Sequence, residues 1–414
     1  MTFSKLPSET LDEIFHHLHH DRSSLLACSL TSRVLVLPAR RLLFWHITLP
    51  LSKTDIMMRL LSDEHCTIAT ALRGLTLTDR TQSQIPSKSE SPKETDISTV
   101  KVQLASLQVI RLEYIYEDCI PSVIWDLLEG LPGVREVQVD QVYWRNSPRL
   151  FSLLSSMPVF ERFAITSCHW SGLNLSLPPP PCVRNRLLVP VLEIGPSAQK
   201  DILHWLAAHG RSLTLHVLSL NLAINVETAR LVGSLLDMVA PTLRELQLSL
   251  GNGILGEKLV LQSYMFIYMY SFFIDSQVLD IVKFNACSNL RSLTIVTRYD
   301  PPRNTNVNLC IRSVFPQLLG VKSLRTLSWM VYVDKKKSRL PLVGFSEQVL
   351  YDEFNWPLLS QELRSSIGAQ LNRLRICIEH YPVQFHEQTE RYLRSECFPE
   401  MDGKGKLQVI FHAP

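Results

Sequence analysis

The sequence predicts an α/β fold: three short helices at the N-terminus, followed by an irregular solenoid of strand–helix units. Three observations predict it. An apolar-x-x-apolar-x-apolar pattern recurs ten times between residues 72 and 376. Stretches with apolar residues at helical spacing lie between several of its copies. The first fifty residues lack the pattern and carry three short amphipathic segments instead.

The first segment follows Pro7. Ser8 can cap a helix, and Glu9, Asp12 and Glu13 stand near the positive end of its dipole. Leu11, Ile14, Phe15 and Leu18 then form one apolar stripe at i, i+3, i+4 and i+7. Asp21 and Ser23 start a second helix carrying Leu25, Leu26 and Leu30. Pro38 is placed to open a third, running through Leu42, Leu43 and Phe44 to Trp45. Forty-five residues bury too little surface to be stable alone, so this segment should lean on the rest of the chain or on a partner. His16, His17, His19 and His20 cluster near the end of the first helix. They lack an HExxH glutamate and a distant matching pair, and read as a solvated helix end rather than a metal site.

The repeat begins at Leu72-Leu75-Leu77 and continues at Leu107-Ile110-Leu112, Val134-Val137-Val139 and Phe160-Phe163-Ile165. It runs on through Val189-Leu192-Ile194, Leu215-Leu218-Leu220, Leu243-Leu246-Leu248, Leu290-Leu293-Ile295, Leu324-Leu327-Trp329 and Leu371-Leu374-Ile376. The spacings are 35, 27, 26, 29, 26, 28, 47, 34 and 47. Five consecutive values between 26 and 29 fall in the ~20–29 window of leucine-rich repeats. Each copy reads as an inward anchor followed by a strand of alternating burial. Helices are expected at 121–131, 147–157, 197–209 and 225–239; in the third, Ile202, Trp205, Leu206 and His209 share a face. One strand and one helix cannot bury an apolar face alone, and stacking solves that. An asparagine or cysteine three residues after the last strand anchor occurs only at Cys168, so the usual asparagine ladder is absent.

Three intervals depart from the pattern. Residues 81–98 are rich in Ser, Pro, Lys and Glu and read as a flexible linker. Residues 178–181 are four prolines, a stiff extended connection. Residues 254–274 are strongly apolar, with no charge between Lys258 and Asp275, and lengthen one repeat spacing to 47. That segment is expected to be an insertion, such as a stretch retained from an uncut intron; its rival is a hydrophobic helix that docks on a partner or membrane. Its apolar core, 259–274, is shorter than the ~17–25 residues of a membrane span.

Composition narrows the function classes. Forty-two basic against 39 acidic residues leave a net charge of +3, which gives no footprint for nucleic acid. Fifteen glycines, with no GxGxxG or GxxxxGK[ST], argue against phosphate loops. Nine scattered cysteines without a CxxC pair indicate reduced thiols and no zinc framework. No nucleophile elbow, HExxH or calcium loop is present, so neither an enzyme nor a cofactor is expected. From the polar, acidic start no signal peptide is expected, and the expected location is the cytoplasm or nucleus. Lys335, Lys336 and Lys337 read as a solvated loop.

The N-terminal residues carry a resemblance. Leu6-Pro7-x-Glu9-x-Leu11-x-x-Ile14-Phe15-x-x-Leu18, the run Cys28-Ser29-Leu30-Thr31-Ser32-Arg33 and Trp45 resemble an F-box, in wording similar to the F-box-like families of mushroom-forming fungi. One departure is Val34-Leu35, where the family usually has an aromatic residue. The resemblance implies docking on the Skp-type linker of a cullin–RING (SCF-type) ubiquitin ligase through Leu6, Pro7, Ile14, Leu18, Leu26, Leu30 and Trp45. The rest of the chain resembles the leucine-rich horseshoe that F-box proteins often carry. The expected organisation is therefore an F-box at 1–50, a first repeat-like segment with a polar loop at 51–100, and the solenoid at 101–414. Such a chain would be a substrate-recognition subunit; a ligase-independent scaffold is the alternative. Arg244, Arg291 and Arg325 occupy equivalent repeat positions and are expected, with Gln247, Thr294 and Ser328, to face a target, the arginines favouring an acidic one.

Overall fold

In a computed structural model of the 414-residue chain, the residues described are 7–19, 21–63, 66–79, 97–145, 148–157, 161–170, 189–195, 199–209, 213–222, 226–250, 282–299, 305–333, 355–365, 367–379 and 383–412. The chain divides into two units, Met1–Val183 and Arg184–Pro414.

The first unit opens with α1 (Ser8–His17), α2 (Arg22–Thr31) and α3 (Arg33–Leu43). Strand β1 (His46–Pro50), helix α4 (Thr54–Leu61), β2 (Gly74–Thr78) and α5 (Ile97–Gln103) follow. Next come β3 (Val109–Glu113), α6 (Ser122–Leu128), β4 (Glu136–Asp140), the short β5 (Tyr143–Trp144), α7 (Pro148–Ser156), β6 (Arg162–Thr166) and the short β7 (His169–Trp170). Strands β1, β2, β3, β4 and β6 are parallel and pair in chain order. Parallel neighbours need a crossover of a dozen or more residues, which the intervening segments supply. The register is uniform. Ile47, Leu75, Ile110, Val137 and Phe163 form one column, and Leu49, Leu77, Leu112, Val139 and Ile165 a second. From β2 onward both columns are buried, and so are Ile124, Trp125, Leu127 and Leu128 of α6 and Leu150, Phe151, Leu153 and Leu154 of α7. At about 1.5–3 kcal/mol per fully buried large side chain, these columns are the main source of cohesion.

The second unit comprises β8 (Val191–Ile194), α8 (Gln199–His209), β9 (Val217–Leu222), α9 (Val226–Val239), β10 (Glu245–Leu250), β11 (Ser292–Tyr299), α10 (Thr305–Leu318), β12 (Thr326–Val333), α11 (Trp356–Ser365), β13 (Arg373–Glu379), α12 (His386–Tyr392), α13 (Pro399–Gly403) and β14 (Leu407–His412). Its seven strands are again parallel in chain order. Leu192, Leu218, Leu246, Leu293, Leu327, Leu374 and Leu407 share a column. Ile202, Trp205 and Leu206 of α8 are buried, as their shared face requires.

All ten repeat copies lead into strands, and all four expected helices form. The departures are local. Helix α3 begins at Arg33, five residues before Pro38, which lies inside it. Proline removes the bond to the carbonyl four residues back, and that residue, Val34, lies in the helix's first turn on an exposed position. Pro7, not Ser8, occupies the cap position of α1. Two long strands, β1 and β14, were not expected. Phe44-Ile47-Leu49 is a further copy of the repeat, running directly out of α3. At β14 the anchor position is Lys404.

The turns after β3, β4 and β6 are built without asparagine. Tyr114, Gln141 and Ser167 take left-handed backbone conformations, with φ of 56°, 52° and 50°. The residues that follow, Ile115, Val142 and Cys168, are fully buried where the asparagine ladder would run. Burial pushes the Cys168 thiol up to about 12, and its Sγ lies 3.8 Å from the Val139 carbonyl oxygen. The expected linker at 81–98 lies outside the described residues except for its last two, which begin α5. The prolines at 178–181, the lysines at 335–337 and the segment 254–274 lie outside them altogether. Among the described residues, no helix is long and apolar enough to cross a membrane.

Candidate protein-docking surfaces

The three N-terminal helices sort their apolar residues into two sets. Leu11, Phe15, Leu25, Leu35, Ala39 and Leu43 form a buried inner cluster, with Leu18, Cys28, Leu42 and Phe44 packed against it. Asp21 fixes the start of α2: its carboxylate accepts from the Ser24 backbone N–H at 3.1 Å and from the hydroxyls of Ser23 and Ser24 at 2.6 Å. Those bonds, Ser23's first, hold its carboxyl at about 2.

The second set faces solvent. Of the residues implied as linker contacts, Ile14 is 39% exposed, Leu26 47%, Leu30 86% and Trp45 52%. Pro7 is exposed, Leu18 is half-buried against the inner cluster, and Leu6 lies outside the described residues. Val34 and Leu37 of α3 join the exposed set and were not anticipated; their i, i+3 spacing was the available signal. Leu35 shows how the departure at Val34-Leu35 is accommodated, since it is the one that fills the inside. Single exposed leucines are ordinary, but six large apolar side chains exposed between residues 14 and 45 are not. The Arg73 guanidinium lies 5.8 Å from the Trp45 ring centre. The His16 and His19 rings stack at 5.3 Å. Among the described residues, no group of three His, Cys, Asp or Glu side chains could hold a metal ion.

Arg244, Arg291 and Arg325 are brought together. Each lies just before its strand, and the chain hands over from one to the next: the Arg291 N–H donates to Arg244 O at 2.8 Å, and the Arg325 N–H to Arg291 O at 2.9 Å. All three side chains are exposed, and none forms an ion pair among the described residues. The Arg325 guanidinium donates to the carbonyls of Lys322 and Leu324, at 3.0 and 3.3 Å. Gln247, Thr294 and Ser328 form a separate row within the strands, in mutual register, with Ser328 buried. Strand spacing of ~4.8 Å thus sets three like charges in a short strip, with the exposed Glu245 beside the first.

The fold defines a class: a parallel α/β array of strand–helix units behind a three-helix N-terminal segment. No family model matches the chain, and no curated protein matches it. Among solved structures, the crystal structure of the Rad7 and Elc1 complex in yeast aligns over 90% of this chain and 88% of the matched chain, at 13% identity and a TM-score of 0.35.

Proposed function

We propose that the chain is a protein–protein adaptor, the substrate-recognition subunit of an SCF-type ubiquitin ligase. In this reading, the exposed apolar residues of α1–α3 dock a Skp-type linker and, through it, a cullin. The strand–helix array holds the target, and the arginine strip gives it a preference for acidic partners. Other subunits supply the chemistry; this chain supplies proximity and orientation. The observation that carries the reading is the second apolar set, turned away from an inner cluster that is complete without it.

The test is co-purification of the full chain with a Skp-type linker. Leu30→Asp and Leu37→Asp alter exposed positions, where folding tolerates substitution. Each places a carboxylate in the contact, at a cost of several kcal/mol, enough to remove micromolar binding. Retention of the linker by both variants would reject this face; no retention by the unmutated chain would reject the ligase reading. One observation favours a scaffold that never joins a ligase. Phe44-Ile47-Leu49 continues the repeat directly from α3, as helices that merely cap the array would.

A further inference from the structure

Three successive turns of the first unit share one plan. After β3 the chain reads Tyr114-Ile115-Tyr116, after β4 Gln141-Val142-Tyr143, and after β6 Ser167-Cys168-His169. The first residue of each is left-handed, the second is buried, and the third carries an aromatic ring. Because the strands stack in register, the third positions fall in line: Tyr116 bridges Tyr143, and Tyr143 pairs with His169 in the β5–β7 ladder. The rings follow the backbone. Tyr116 and Tyr143 stack with centres 4.6 Å apart and planes at 16°, and Tyr143 and His169 at 4.9 Å and 20°. Tyr143 is sandwiched, and burial followed by the Tyr116 hydroxyl pushes its phenol up. Tyr116 ends the described stack and is 47% exposed. The sequence signal for this row is an aromatic residue four positions after each last strand anchor.

Among the described residues, the segments that build this row carry more acidic than basic side chains. The segments that build it (79, 113–119, 140–145 and 166–170) hold Asp79, Glu113, Glu117, Asp118 and Asp140 against Arg145 alone. Arg145 pairs with Asp118 at 3.2 Å, both well exposed, and its N–H donates to Glu117 at 2.7 Å. The Thr166 hydroxyl donates to Asp140 at 2.7 Å. Asp118 lies in the same turn as Tyr116, where the Cys119 N–H donates to Tyr116 O at 2.9 Å, and Asp79 directly follows Thr78, the β2 residue that pairs with Glu113 at the end of β3. An exposed ring with Asp79 and Asp118 on its flanking segments suits a planar, weakly hydrated cation and repels phosphate.

We infer that this rim docks an arginine-bearing peptide segment, its guanidinium lying on Tyr116 with Asp79 and Asp118 as counter-charges. The inference does not rest on linker docking by the N-terminal helices, and it assigns the first unit a partner of opposite charge to that expected at the arginine strip.

The experiment titrates the full chain with hexa-arginine, hexalysine and hexaglutamate peptides, followed calorimetrically. Hexa-arginine should bind, hexalysine more weakly, and hexaglutamate should not compete. Tyr116→Ala should weaken hexa-arginine about threefold to fivefold, the scale of an exposed cation–ring contact, whereas Tyr116→Phe keeps the ring and the affinity. Asp79→Asn with Asp118→Asn should weaken it further and flatten its salt dependence. These substitutions keep side-chain volume, so they decide the matter even if Tyr116→Ala folds poorly. The inference is overturned if hexa-arginine does not bind, or if it binds no better than hexalysine. It is equally overturned if affinity is indifferent to a folded Tyr116→Ala chain or to the double asparagine variant.

Discussion

The imidazole of His46 lies across Gly74, its register partner in the neighbouring strand, and its Nε2 sits 2.7 Å from Thr76 Oγ1. A Cβ on Gly74 would fall within the space the ring occupies. The absence of a side chain at this strand position is thus what lets β1 lay its ring on β2. Gly74→Ala should cost about 1–3 kcal/mol, the usual penalty for overpacking. In a His46→Ala background most of that cost should vanish, because the obstacle is gone. Urea denaturation of the two single variants and the double variant measures the coupling, and simple additivity would show that the ring does not rest there.

The same ring makes stability depend on pH. Burial, then the Arg111 charge, pulls the His46 pKa below its ordinary 6.5, with Glu113 opposing. The unfolded chain therefore takes up the proton first as pH falls. The contribution is complete above about 6.5 and is lost as pH drops from there through the lower folded value. His46→Gln removes the titration, so between pH 8 and pH 5 the variant's melting temperature should fall less than that of the unmutated chain. Parallel melting curves would remove His46 from the account, since all other titrating groups are common to both.

The repeat was legible because each strand presents two inward positions with a polar one between, and the two columns from Leu75 and Leu77 onward are what that pattern encodes. Where it was missed, another signal masked it. Phe44-Ile47-Leu49 follows an Arg- and Leu-rich helix so closely that Phe44 and Trp45 read as its end, and at β14 a lysine stands at the anchor. Pro38 suggested a helix start because proline favours first turns, but the inward pull of Leu35 and Ala39 extends α3 on both sides of it. Of the docking positions, those on α1 and α2 follow from helical spacing. The stacked row of Tyr116, Tyr143 and His169 depends on the left-handed residues that aim each turn, and backbone handedness leaves little trace at Tyr, Gln and Ser.

The arginine strip predicts a separable binding defect. Arg244, Arg291 and Arg325 are exposed and make no ion pair among the described residues, so reversing all three to glutamate should leave the fold intact. At about 0.5 kcal/mol per exposed charge, losing three contacts gives slightly more than a tenfold loss of affinity for an acidic partner. Affinity purification with mass spectrometry, comparing the unmutated and triple-reversed chains, provides the measurement. Equal recovery of acidic proteins from both would reject this surface.

The final prediction concerns residues 254–274. They lie outside the described residues, yet the ladder on either side is undisturbed: Leu246 pairs in register with Leu293, and Leu248 with Ile295. Between β9 and β10 the chain uses 22 residues, and between β10 and β11 it uses 41. Removing the 21 residues of 254–274 would leave 20, close to the 22 between β9 and β10. The β10–β11 register is therefore of the same kind as its neighbours, whose connections are shorter at β9–β10 and β11–β12. Halving a loop lowers its closure cost by about 0.6 kcal/mol, so the shortened chain should be slightly more stable, and more soluble for want of an apolar segment. Denaturation midpoints and sedimentation of the two chains test this. If deletion destabilises by more than about 1 kcal/mol, the size of an ordinary core substitution, the segment packs against the array and is no insertion. Transcript sequencing gives an independent check: an intron retained by accident should be missing from a large share of messages, whereas a segment that belongs to the protein should be present in nearly all.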